Sequence, residues 1–395
     1  MTKFLENPIG AAIVLLLLLC GLVALGPSHP IADEAIYLSN LNSRYSPWSI
    51  DFIRNYQGTA GIVSTWFYFL LPSFFRNHLI GLRLCNVFFF VASVYLVFNH
   101  WRISIKGYAL FTILFIPGTI ALIARAMGDW PPVFFSIIFL VLLQSLSNVT
   151  INRWRFLFLF SAAILGSLAV IGKQSLSLIV FIWPFYLWRT KELKSGELIF
   201  LLFALVPIPL LVFSIWHGVS PASSKLIRSG QFNWSSLEYV FCWFVAAYLF
   251  LTANFNYVLS LIKKKGWLML FLFLGFYLLQ NNWNQDLQIA SYRQFAYLLT
   301  HLLLASSAAV FCLLGLDKWQ KKSNEQERIV FIIIILMALL SLTLSAIQMR
   351  YPAAFFPLIL LFCKKEIERS YTMNYFKYFG LGFNLLNLYL LFRMS

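Results

Sequence analysis

Asp33 and Glu34 stand side by side in PIADEAIYLSNL, just past the first apolar run, IGAAIVLLLLLCGLVALG. Asp and Glu together number 14 in 395 residues. An acidic pair at the mouth of a membrane segment is costly, so it asks for a role. Other ionisable residues fall at breaks between apolar runs: Arg125 and Asp129 in ARAMGDWPP, Lys173 in IGKQS, Asp286 and Arg293 in NNWNQDLQIASYRQ, and Arg350 in QMRYP. Arg44, Asp51 and Arg54 follow the acidic pair in the same polar stretch. Carboxylates mixed with cations suit a phosphate-bearing, hydroxyl-rich ligand. A carboxylate can take the proton of an attacking hydroxyl, worth roughly 10²–10⁴-fold in rate. Cations can neutralise a leaving phosphate as charge builds on it. Arg does this through paired hydrogen bonds and Lys as a point charge.

The elements that position these residues are membrane helices. The chain is 61% hydrophobic and 11% charged, and many apolar runs reach the roughly 20 residues that cross a bilayer core. A soluble core of this size has no room for them. Crossings are expected near 9–27, 79–98, 107–124, 130–147, 156–172, 174–188, 198–216, 236–262, 266–281, 294–315, 329–347, 353–363 and 372–392. The fold class is therefore an all-α polytopic integral membrane protein of about thirteen transmembrane helices. Residues 1–395 form a single transmembrane domain with a first outer loop at 28–78 and no soluble C-terminal domain. Within that loop, 59–75 is apolar but short and holds Gly61 and Pro72. It reads as an amphipathic or re-entrant helix.

Charge sets the orientation. With the N-terminus inside and 59–75 not crossing, more than half of the 30 Lys and Arg fall in inside loops, most of them short. That is the positive-inside pattern. It accounts for the net charge of +16 through anionic lipid and excludes a nucleic-acid partner. The same orientation gathers Asp33, Glu34, Arg54, Arg125, Asp129, Lys173, Arg293 and Arg350 on the outer face. The five cysteines form no CxxC pair and the histidines have no metal spacing, so neither a disulfide nor a metal is expected. No internal repeat points to a transporter built from two halves.

Each of these residues also admits a structural role. Asp33 and Glu34 can cap a helix that begins at the membrane surface. Arg125 and Asp129 are spaced as an i, i+4 ion pair, and Asp129 before Trp130-Pro131-Pro132 can be an N-cap. Lys173 can snorkel between two short spans. Arg350 can anchor an interface beside Tyr351. Arg83 in IGLRLCN reads as structural.

Taken in order, the motifs resemble those of the GT-C membrane glycosyltransferases, in the branch of protein O-mannosyltransferases and the lipid A aminoarabinose transferase. The matching elements are Asp33-Glu34-Ala35-Ile36-Tyr37, Gly81-Leu82-Arg83-Leu84, Arg125 to Asp129, Gly172-Lys173 and Arg350-Tyr351-Pro352, spread over most of the chain. The resemblance implies a GT-C-like bundle and transfer, with inversion, of a sugar from a polyprenyl-phosphate-linked donor. The acceptor would be a lipid, a glycan or another hydroxyl on the outer face of the plasma (bacterial inner) membrane. Asp33 is implied as the main catalytic carboxylate, with Glu34 and Asp129 as further acidic site residues. Arg125, Lys173 and Arg350 are implied to hold the donor phosphate. Relatives often carry a Lys-Pro-Pro element where this chain reads NYQGTAGIVSTW. Arg54 is the substitute there, and Arg293 is a further phosphate candidate. No cofactor is implied; a divalent metal on Asp33, Glu34 and Asp129 is conceivable but not expected. Competing classes are an O-antigen or polysaccharide polymerase or ligase, which carries its arginines in large late loops, and a lipid-linked oligosaccharide flippase, which lines a mid-membrane path with charge.

Overall fold

Asn7 starts the first long helix: its side chain accepts a hydrogen bond from the Ile9 amide at 2.9 Å, and Pro8 brings the fixed φ that suits a first helical turn. A computed structural model describes residues 2–30, 34–58, 62–76, 78–103, 107–116, 119–124, 129–218, 221, 234–252, 254–281, 291–320, 325–341, 355–369, 381–382, 384–386 and 388–389. Among the described residues all regular structure is helical.

Helix α1 (Thr2–Glu6) leads into α2 (Pro8–Ala24). Short helices follow in the first loop: α3 (Glu34–Leu41), α4 (Ile50–Arg54), α5 (Ile62–Leu70) and α6 (Ser73–Arg76). Then come α7 (Leu79–His100), a 3-10 segment at Gly107–Phe115, α8 (Thr119–Ile123), α9 (Trp130–Ser145), α10 (Asn152–Gly172) and α11 (Ser177–Arg189). Helices α12 (Ser195–Leu205) and α13 (Pro207–Trp216) are followed by α14 (Trp234–Thr252), α15 (Phe255–Lys264) and α16 (Gly266–Asn281). The last are α17 (Ser291–Gln320), α18 (Glu325–Leu340), α19 (Phe356–Phe362) and α20 (Lys364–Arg369).

Among the described residues, five stretches are long and apolar enough to cross a membrane: Leu79–His100, Trp130–Asn148, Asn152–Gly172, Ser195–Trp216 and Leu299–Gln320. Their 19–22 residues rise about 28–33 Å, matching a bilayer core of roughly 30 Å. Pro8–Ala24, Ser236–Thr252 and Gly266–Leu279 are apolar but shorter. The chain is thus a helical membrane protein. Some other expected crossings are built differently where they are described. The run 107–124 is divided between the 3-10 segment and α8, α11 carries Pro184 within it, and α19 has 7 residues. The stretch 372–392 lies largely outside the described residues. In the first loop, the 9 residues of α5 rise about 13 Å, too little to cross.

Side-chain contacts sort the bundle into two ends. At one end, Arg83 at the start of α7 reaches Pro27 and His29 beyond α2. Trp216 at the end of α13 donates from Nε1 to the Ile53 carbonyl of α4 at 2.7 Å. At the other end, Arg155 of α10 clasps Glu197 of α12 through two bonds of 2.8 and 2.9 Å. There also Lys318 pairs with Glu366 at 3.0 Å, and Lys365 with Glu327 at 3.1 Å. Aromatic rings fill the core between the ends. Phe90, Trp130 and Phe356 pack edge to face, and Phe241 stacks on Phe311 at 4.3 Å.

Candidate functional site

Glu34 opens α3 and is fully buried. Arg83, also fully buried, donates to it twice: Nε to Oε1 at 2.9 Å and Nη2 to Oε2 at 2.7 Å. The other guanidinium donors go to backbone carbonyls, Nη1 to Pro27 at 2.6 Å and Nη2 to His29 at 3.2 Å. This is the fork geometry for which Arg is suited. It bolts the exit of α2 and the start of α3 onto α7. Both oxygens of Glu34 are therefore engaged, and its place in the site is that of a strut. By sequence alone Glu34 falls with the catalytic carboxylates and Arg83 with the structural residues; the pair unites them in one positioning device.

Asp129 and Lys173 form a second buried pair. Asp129 immediately precedes α9, and its side chain makes no capping bond there. Its Oδ1 instead accepts from Lys173 Nζ at 2.6 Å. Lys173 follows α10 with an extended backbone, φ −154° and ψ 103°. The two side chains are 6% and 8% exposed, so Lys173 does not snorkel to water. Gly172 brings them together. A Cβ there would lie 2.4 Å from Pro132 Cγ of α9 and 3.2 Å from Val63 Cβ of α5. The N-terminus of α9, the C-terminus of α10 and the start of α5 thus meet at one point.

Polar residues of the first loop and of α7 pair with one another. Tyr68 of α5 is fully buried and donates to Asn86 Oδ1 of α7 at 2.9 Å. Burial pushes its phenol well above the ordinary value, with smaller contributions from Cys85, Tyr37, Tyr56 and Asp129 nearby. It therefore stays protonated. Tyr56 and Thr65 share a hydroxyl hydrogen bond at 3.2 Å. Asn40 clamps the loop by donating to the Gln57 carbonyl at 2.7 Å and accepting from the Gln57 amide at 3.1 Å. Neither Tyr68 nor Asn86 was singled out from sequence. The usable signal was Asn86, a polar residue inside the apolar run of α7.

The other expected site residues divide as follows. Arg54 is exposed, and its nearest carboxylate is Asp51 at 3.8 Å on the same helix; it stands apart from the buried pairs. Asp33, Arg125 and Arg350 lie outside the described residues, as does the side chain of Arg293 in α17. Phe356, six positions after Arg350, packs on Trp130 beside Asp129 with ring centroids 5.8 Å apart. Among the described residues, no three His, Cys, Asp or Glu side chains gather as a metal site requires.

No protein-family model, curated protein or solved structure matches this chain.

Proposed function

We propose that this chain is a membrane glycosyltransferase that moves a sugar from a polyprenyl-phosphate-linked donor to a hydroxyl of a lipid or glycan acceptor. The observation that carries this is the buried Asp129–Lys173 pair at the end of the bundle that also holds the Glu34–Arg83 strut. A lysine kept in a dry pocket by one carboxylate is a cation ready for an anion, because a low-dielectric site strengthens the attraction. Lys173 takes the donor phosphate, while Asp129 neutralises and aims Lys173 in the empty site. Arg125 and Arg350 are further donors to the phosphate.

Asp33, one residue before the strut, takes the proton of the acceptor hydroxyl. The acceptor oxygen attacks the anomeric carbon from the face opposite the phosphate. The bond between that carbon and the phosphate oxygen breaks, the bond electrons leave with the polyprenyl phosphate, and the configuration inverts. The opposite end of the bundle carries Arg155, Arg189, Lys194, Lys318 and Lys365. This supports a cytoplasmic assignment for that end, with the N-terminus, and an outer-face reaction in a bacterial inner membrane.

The test is mass spectrometry of lipid-linked sugars extracted from a strain lacking this chain. The donor should accumulate, and it should clear when the native chain is restored but not when Asp33→Asn or Lys173→Ala is. Unchanged lipid-linked sugars in the deletion strain would remove the assignment.

A further inference from the structure

Glu238 lies in the second turn of α14 and is fully buried, and neither of its carboxyl oxygens has a hydrogen-bond partner. The other buried carboxylates described above, Glu34, Asp129 and Glu327, are each held by a cation. Helix α14 is interior on most of its sides: Leu237, Val240, Phe241, Phe244, Val245 and Leu251 are all buried. Helix α17 runs beside it in the same direction. Phe241 stacks on Phe311, and Cys242, one turn from Glu238, shares a hydrogen bond with Ser307. Glu238 therefore faces protein and not lipid, near the end where α14 and α17 begin.

An ionised carboxylate left unpaired in such surroundings is too costly to persist. Among the described residues no cation reaches it, and the residue is closed off from solvent. Metal donors do not gather there among the described residues. The occupant that fits is a proton. We propose that Glu238 is a proton-binding site that keeps α14 and α17 packed while protonated, and that losing the proton opens this end of the pair to water. Among the described side chains, the titratable groups nearest this level on α14 and on its neighbours α16 and α17 are Tyr239, Cys242, Tyr277, His301 and Cys312. None is a fixed cation that would hold Glu238 ionised. This site is separate from the Asp129–Lys173 pair and does not rest on the glycosyltransferase reading.

Infrared spectroscopy tests it on the full chain in lipid bilayers at neutral pH, as a difference between native protein and Glu238→Gln. Loss of one protonated-carboxyl carbonyl band is expected. Loss of ionised-carboxylate bands, or no carboxyl difference, overturns the proposal. Glu238→Leu is the second variant, since a resident neutral acid is replaceable by a neutral side chain. Failure of both variants to fold also overturns it. Opening is read by a small uncharged thiol reagent on Cys242, with the other four cysteines replaced. Its labelling should accelerate more with rising pH in native Glu238 than in Glu238→Gln. Equal acceleration removes the opening step.

Discussion

Replacing Arg83 by Met is the sharpest test of the strut. The native pair is fully buried, with two charge-assisted bonds between the side chains and two more to Pro27 and His29. Arg83→Met keeps the apolar stem but strands the Glu34 carboxylate and leaves two carbonyls without their donor. Breaking a buried pair from one side costs about 3–5 kcal/mol, chiefly from the uncompensated charge. Glu34→Gln strands the guanidinium instead, although one amide oxygen still accepts from it, so the loss belongs at the lower end, about 3 kcal/mol. The double variant Glu34→Gln/Arg83→Met removes both charges and should cost less than the sum of the two. The coupling recovered in the cycle should be about 2–3 kcal/mol, the upper range for contacting residues. Unfolding of the detergent-solubilised protein, followed by tryptophan fluorescence across a denaturant series, gives all four values. Single-variant losses below about 1 kcal/mol, the level of an exposed ion pair, or strictly additive losses, would refute the strut.

Other outcomes follow from the same geometry. Asp33→Asn should leave the chain inserted and folded while lowering sugar transfer roughly 10²–10⁴-fold, the share of a general base, as read in a lipid-linked sugar assay. Lys173→Ala should lower transfer about 10²-fold and weaken donor binding more than acceptor binding in a titration of each substrate. Gly172→Ala forces a Cβ against Pro132 and should cost about 1–3 kcal/mol of stability, measured as a lowered denaturant midpoint. Tyr68 titrates above its unfolded value, so the folded state holds the phenolic proton longer than the unfolded state does. Stability should therefore fall as pH rises above about 10, and Tyr68→Phe should remove that part of the fall in unfolding measured across alkaline pH.

What sequence reveals here follows from its reach. The apolar runs of α7, α9 and α10 show themselves because each is a continuous local pattern. The breaks holding Asp129 and Lys173 were legible for the same reason. Their pairing was not: local spacing offered Asp129 the nearby Arg125, whereas its observed partner is 44 positions away. Glu34 and Arg83 are 49 positions apart, and no local period joins them. The run 107–124 has the apolar content of a crossing, but hydropathy does not register that Gly107–Phe115 winds as a 3-10 helix. Glu238 escaped notice because one acidic residue within WSSLEYVFCWF sits in an apolar pattern, and its isolation is a property of packing alone.

The strut also sets an order of assembly. Glu34 leaves the ribosome 49 residues ahead of Arg83, a lag of roughly 2–10 s at 5–20 residues per second. For that interval Glu34 lacks the guanidinium that holds it in the folded chain. The bonds that tie Pro27, His29 and Glu34 to α7 can form only once α7 arrives. A truncated chain ending before α7 would present Glu34 without the partner that buries its charge.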